Sequence, residues 1–214
     1  VIAREFFEAL WIDVPTPFRY GDIVCSESTP FGGSTYNKKQ PFVLLSLANW
    51  SGDMAIERGE KLSKKDRNWK NKHVKYLKEK AKELRKAALT MIYTAQSGHP
   101  GGSMSAADIV AALYFSELNI DPQNPKWSER DRFVLSKGHV CPIQYAALIQ
   151  RGFMDESALY TLRKKGSVLQ GHPDMKRTPG IDISTGSLGQ GTSQAVGMAL
   201  GDKIKGRPSR TFLI

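Results

Sequence analysis

An α/β fold is expected from this sequence, on three observations. Two short apolar runs, RFVLS (Arg132–Ser136) and TFLI (Thr211–Ile214), have the length and composition of buried strands. Around them lie longer stretches whose apolar residues recur at three- and four-residue steps, the period of a helix. A glycine-rich turn, STGSLGQGTS (Ser184–Ser193), joins an extended segment to one of these helices. Strands alternating with helices argue an α/β arrangement.

In chain order, residues 1–62 differ in texture from the rest and are expected to be a separate segment, a small β unit. Arg4–Trp11 reads as a short helix, and proline and glycine bracket two β-like runs, Gly21–Val24 and Pro41–Leu47. Asp22 has no partner in the pattern and is taken as a turn residue. Residues 63–214 form the second unit. A long helix is predicted over Ser63–Thr94, ending in the loop SGHPGGS. Next comes a small-residue helix, Ser105–Phe115, with Ser105 as N-cap and Asp108 at the capping-box position. The proline-broken loop NIDPQNPKWSERD leads into the strand RFVLS, which KGH ends. Helices follow at Pro142–Arg151 and Asp155–Lys165, then the loop QGHPD, a short extended GIDIST, and a helix over Gln194–Lys205.

Composition narrows the class. Forty per cent hydrophobic and 24% charged residues describe a soluble globular chain. No apolar run approaches the roughly 18 residues of a membrane helix. The start carries no secretory signal pattern, so a cytoplasmic setting without membrane attachment is expected. Cys25 and Cys141 are far apart and have no metal-ligand spacing. The chain begins at Val1 and stops inside the apolar run TFLI, so it is expected to be a fragment. The net charge of +10 points at nucleic acid, but its location points away. Lys61–Lys86 holds twelve Lys/Arg against three Asp/Glu, while Val74, Leu77, Ala81, Leu84 and Ala88 form one apolar stripe. That is an amphipathic helix with a lysine-rich outer face; a nucleic-acid or acidic-partner surface is the alternative reading.

The glycine turn is spaced G-x-x-G-x-G, which is neither the dinucleotide fingerprint nor a P-loop. Its glycines either let the backbone pack closely or leave free N–H groups at a helix start for an anion. The histidines weigh on that choice. Of four, His73 lies on the charged helix and reads as solvated. The others sit in Gly-His pairs in loops: Gly98-His99, Gly138-His139 and Gly171-His172. Glycine permits close backbone approach. A neighbouring imidazole can donate to phosphate or hydroxyl oxygens, or move protons near neutral pH. No carboxylates or cysteines stand at zinc-ligand spacing around them.

Four stretches carry a resemblance: SGHPGGSMSAADIVAALYF, NIDPQNPKWSERDRFVLSKGH, LQGHPDMKRTPGIDISTGSLGQG and AVGMALGDKIKG. Together, from about His73 to Ile214, they resemble the N-terminal, thiamine-diphosphate-binding half of transketolase, and look most like the split form in which that half is its own polypeptide. The resemblance implies an incomplete thiamine-diphosphate-binding fold, a parallel sheet flanked by helices. It also implies transfer of a two-carbon ketol group between sugar phosphates. His99 would face the sugar, His139 the cofactor's diphosphate, and His172 the donor sugar's hydroxyl at the reacting centre. Gly186, Ser187 and Leu188 would lie against the cofactor, with Leu188 near its aminopyrimidine ring. Mg²⁺ or Ca²⁺ would be held by a Gly-Asp-Gly motif and an asparagine that fall beyond Ile214, so no metal ligand is assigned within the chain. GDK at Gly201–Lys203 is not a substitute. The implied partner is a C-terminal transketolase subunit or domain, in a homodimer or heterotetramer. Cys141 departs from the small residue usual after SKGH in split subunits and is expected to be buried and inert. Another thiamine-dependent ketol transferase or synthase is the alternative within the same chemistry.

Overall fold

The lysine-rich helix has one apolar stripe, and that stripe decides how it packs. In the computed structural model, which describes residues 64–214, helix α1 runs over Lys64–Ala95. Leu77, Ala81, Leu84, Ala88 and Met91 are buried at alternating four- and three-residue steps. They press on α2 (Pro100–Ala112), α3 (Cys141–Gln150) and a 3-10 turn at Glu156–Tyr160. Alanines at the contact, among them Ala81, Ala88, Ala107 and Ala111, let the helix axes approach. The expected Arg4–Trp11 helix, the β-like runs Gly21–Val24 and Pro41–Leu47, Asp22 and Cys25 lie outside the described residues.

Helix α2 starts at Pro100, five residues before the expected Ser105, and its N-cap is His99. Proline at the first position pre-sets the helical φ and needs no N–H partner, so it starts the helix more effectively than a serine five residues on. Ser105 is interior, its Oγ donating back to the Gly102 carbonyl at 3.0 Å. Asp108 is no capping acid either. It pairs with Arg85 of α1, whose Nη1 reaches its Oδ1 at 3.2 Å, and this ties the two helices together. Beyond Ala112 the helix widens into one π turn, Leu113–Glu117. Ser116 on that turn lies 2.9 Å from Nε2 of His73, whose ring stacks on Trp69 at 4.9 Å. His73, expected to be solvated, is therefore half-buried. Burial lowers its pKa, and the Glu117 carboxylate only partly offsets this.

The two apolar runs pair as predicted. β1 (Arg132–Val134) and β2 (Thr211–Leu213) are parallel, with Phe133 opposite Phe212 and Val134 opposite Leu213. Phe133, Val134, Leu135 and Phe212 are buried. Helix α4 (Gln190–Ile204) lies between the strands in sequence. Among the described residues, no strand pairs with the second edge of β1. Phe133 N–H donates to Oδ2 of Asp182 at 2.8 Å, and Oγ1 of Thr185 donates to the Leu135 carbonyl at 2.7 Å. GIDIST, expected to be extended, thus runs beside β1 through side chains and forms no ladder. Asp182 is in turn held by Arg130 and Arg132. Burial pushes its carboxyl up while the Arg130 guanidinium pulls it down. Arg132 also pairs with Asp202 at 3.1 Å, and Arg207 and Ser209 complete that carboxylate's shell. Burial would raise the Asp202 pKa, but hydrogen bonds from Arg132 and Ser209 outweigh it and hold it low. The aspartate of GDK is thereby an ion-pair residue.

Two further expectations are corrected. Asp155–Lys165 is not an α-helix. Asp155 caps Ser157 at 2.9 Å, a 3-10 turn covers Glu156–Tyr160, and Arg163, at φ 59°, reverses the chain so that its N–H meets the Leu169 carbonyl at 2.8 Å. Helix α4 starts at Gln190 rather than Gln194, because Gly189, at φ 82°, turns the chain into the helix early. Among the described residues, no helix is long and apolar enough to cross a membrane.

Leu84 is fully buried at the centre of the α1 contact. Leu84→Ala is expected to cost about 2–5 kcal/mol in urea unfolding. Lys82→Ala on the exposed face should stay within about 0.5 kcal/mol of the parent. Equal effects of the two would contradict this packing.

Candidate cofactor and active site

Three histidines gather in one cluster because glycines let their loops touch. After α1, Gln96 (φ 50°) and Gly98 (φ 148°) reverse the chain, and a Cβ on Gly98 would lie 2.9 Å from Cγ1 of Ile92. The turn leaves His99 at the head of α2. A Cβ on Gly102 would come within 2.5 Å of Cγ2 of Val140, so the first turn of α2 rests on the 3-10 turn Gly138–Val140. That contact sets His99 edge-on to His139, with ring centroids 4.9 Å apart and planes at 70°.

The glycine turn packs against two of these loops. A Cβ on Gly138 would sit 2.9 Å from the backbone of both Thr185 and Gly186, so no other residue fits there. A Cβ on Gly186 would sit 3.5 Å from Cγ of His172. The His172 loop is fastened to the same turn: Thr185 N–H donates to the Pro173 carbonyl at 3.3 Å and Met175 N–H to Oγ of Ser184 at 3.0 Å. His99, His139, His172 and Gly186 are therefore brought together, with Ser187 and Leu188 on the exposed turn that enters α4. Leu188 is 68% exposed.

The cluster offers imidazole nitrogens and the backbone N–H groups of a helix start. Helix α4 opens on left-handed Gly189 with no side-chain cap and no acidic residue in its first turn, an arrangement that suits an anion. Burial lowers the His139 pKa, and neighbouring His99, His172 and Lys137 lower it further. Imidazoles and an uncapped helix start fit the oxygens of a diphosphate. A metal ion is another matter: among the described residues, no group of three or more His, Cys, Asp or Glu could hold one.

Sequence reasoning missed some of the residues that hold these loops. Arg163 joins two loops, its Nη1 donating to Oγ of Ser97 at 2.6 Å while its guanidinium lies against Gly171. Nothing in the run Arg163–Lys165 marks that role. Tyr145, four residues after Cys141, is buried and bonds to the loop of His172. Cys141 is buried as expected, and burial pushes its thiol up to about 12, well away from reactivity.

An α/β scaffold whose glycine-rich loops gather three histidines beside a helix start is the layout of a cofactor-binding domain. Residues 53–208 match the family model described as "Transketolase, thiamine diphosphate binding domain", and the chain belongs to that family. It is 49% identical over 138 residues to the 6-deoxy-6-sulfo-D-fructose transketolase subunit SqwG of Clostridium sp. (strain MSTE9), covering 64% of this chain and 50% of that one. It is 38% identical over 141 residues to an apulose-4-phosphate transketolase subunit of Phocaeicola vulgatus, covering 66% of this chain and 50% of that one. The solved transketolase from Leishmania mexicana superposes with a TM-score of 0.61 at 35% identity, covering 64% of this chain and 22% of that chain. The chain spans about half the length of these two curated relatives.

A lowered His139 pKa means the unfolded chain takes up that proton first on acidification. The contribution to stability is therefore present above about pH 6.5, the ordinary histidine value, and is lost as pH falls through the folded pKa. In an NMR titration the His139 ring should show a midpoint below about 6.5, moving upward in His99→Gln. A midpoint at or above that value would contradict the arrangement.

Proposed function

We propose that this chain forms one wall of the active site of a thiamine-diphosphate-dependent enzyme that transfers a two-carbon ketol unit between sugar phosphates. The observation that carries this reading is the convergence of His99, His139 and His172 on Gly186 at the uncapped start of α4. Bound thiamine diphosphate supplies a nucleophilic carbon and a sink for the electrons of a broken carbon–carbon bond. The chain's own residues bind, orient and move protons. In this reading His139 donates to the diphosphate, helped by the backbone N–H groups at the start of α4. Gly186 and Ser187 line the cofactor, and Leu188 offers its exposed side chain to the aminopyrimidine ring. His99 orients the sugar. His172 holds and passes a proton at the donor sugar's hydroxyl; a group in such a role contributes about 100- to 10,000-fold in rate.

The cation in this reading is Mg²⁺ or Ca²⁺, with ligands from outside the described residues. The partner is a C-terminal transketolase subunit or domain, in a homodimer or heterotetramer. Support comes from the two curated relatives, both described as transketolase subunits and both about twice the matched length. The setting we infer is cytoplasmic, without membrane or nucleic-acid attachment. We also retain the division into 1–62 and 63–214, which rests on the change in sequence texture near residue 62.

In the complete enzyme, His172→Ala should lower turnover by about 100-fold or more while leaving thiamine diphosphate affinity nearly unchanged. A large loss of cofactor affinity with turnover preserved would overturn the assigned role. Calorimetric titration of the chain alone with thiamine diphosphate and Mg²⁺ should show only weak binding. A micromolar dissociation constant would mean that the described residues suffice for the cofactor.

A further inference from the structure

We propose that Tyr145, with Cys141 one helical turn before it, is the positioning element for His172: two buried donors on one face of α3 hold three consecutive carbonyls of the His172 loop. The Tyr145 hydroxyl donates toward the carbonyls of Gln170 at 3.0 Å and His172 at 2.9 Å. It has a single proton, so the two acceptors share it in a three-centre bond. The Cys141 thiol lies 3.3 Å from the Gly171 carbonyl and donates to it. Residues four apart lie on one helix face, so both donors meet the loop together. Each side chain is at most 1% exposed.

Loop carbonyls ordinarily turn to water. Here those of residues 170–172 turn inward to α3, and the exposed His172 imidazole lies on the side of Gly186. Helix α3 follows directly on the 3-10 turn that carries His139. One rigid element therefore carries His139 and fixes the backbone of His172. Such support matters because a misplacement of about 1 Å can cost on the order of 100-fold in rate.

The functional half of this inference rests on the role proposed above for His172; the geometric half does not. Tyr145→Phe keeps the ring and removes the proton donor. In the full chain, the His172 ring resonances should shift and amide exchange at Gly171, His172 and Asp174 should quicken by about tenfold or more, with the melting transition still cooperative. In the complete enzyme, turnover should fall about 10- to 100-fold with cofactor affinity within about twofold of the parent. A folded Tyr145→Phe with unchanged His172 resonances and unchanged exchange overturns the proposal, whatever its turnover. If Tyr145→Phe does not fold, Cys141→Ala is judged by the same two NMR criteria, and Cys141→Ser, which restores a donor, should return both to the parent values. Shifted resonances with parental turnover uphold the clamp and remove the proton-transfer role of His172; His172→Ala would then also be active.

Discussion

The second edge of β1 is the constraint on which the rest depends. Phe133 N–H and the Leu135 carbonyl point away from β2, and a buried strand cannot leave such groups unpaired without a cost of about 1–3 kcal/mol each. Asp182 and Thr185 meet them with side chains. Asp182 could not be buried alone, so Arg130 and Arg132 accompany it, and Arg132 extends the pairing to Asp202 on α4. The run Arg130-Asp131-Arg132 is thus the charge frame of the sheet, with Asp131 taken up by Arg210 beside β2 at 2.6 Å. Removing one partner from such a frame typically costs about 3–5 kcal/mol, because the other charge stays buried.

The site follows from that fastening. With Asp182 and Thr185 fixed on β1, Thr185 and Gly186 fall against Gly138, and the absence of a side chain on Gly138 lets the backbones meet. The histidine after that glycine then meets the ring of His99. The same device recurs at Gly98-His99, where a backbone turn that only glycine tolerates comfortably delivers the ring to the head of a helix. At Gly98-His99 and at Gly138-His139, a position that calls for glycine is followed directly by the imidazole it places. The lysine-rich helix α1, which supplies most of the net charge, has a structural role through its buried stripe and its Arg85–Asp108 pair.

Much of this was legible in the sequence where local signals and global packing agree. The apolar runs RFVLS and TFLI are strands, the stripe from Leu77 to Ala88 is a core face, and the Gly-His pairs and the glycine turn do converge. The misses lie where a distant contact outranks a local preference. Pro100 with the Gly102–Val140 contact starts α2 ahead of a serine with good capping chemistry. Asp155–Lys165 has helical composition, yet the chain reverses at Arg163, whose guanidinium bridges Ser97 and Gly171. Asp182, Thr185 and Tyr145 act on backbone groups 49, 50 and up to 27 residues away, a separation that no periodicity reveals.

The central claim is that side-chain bonds to the second edge of β1 hold the glycine turn against Gly138. The most direct measurement is the nuclear Overhauser contact between the α protons of Gly138 and the amide proton of Gly186, compared between the parent chain and Thr185→Val, which removes one of those bonds at nearly constant shape. A strong contact in the parent that weakens or vanishes in Thr185→Val is the expected result. Equal contacts in both chains, or none in the parent, would contradict it.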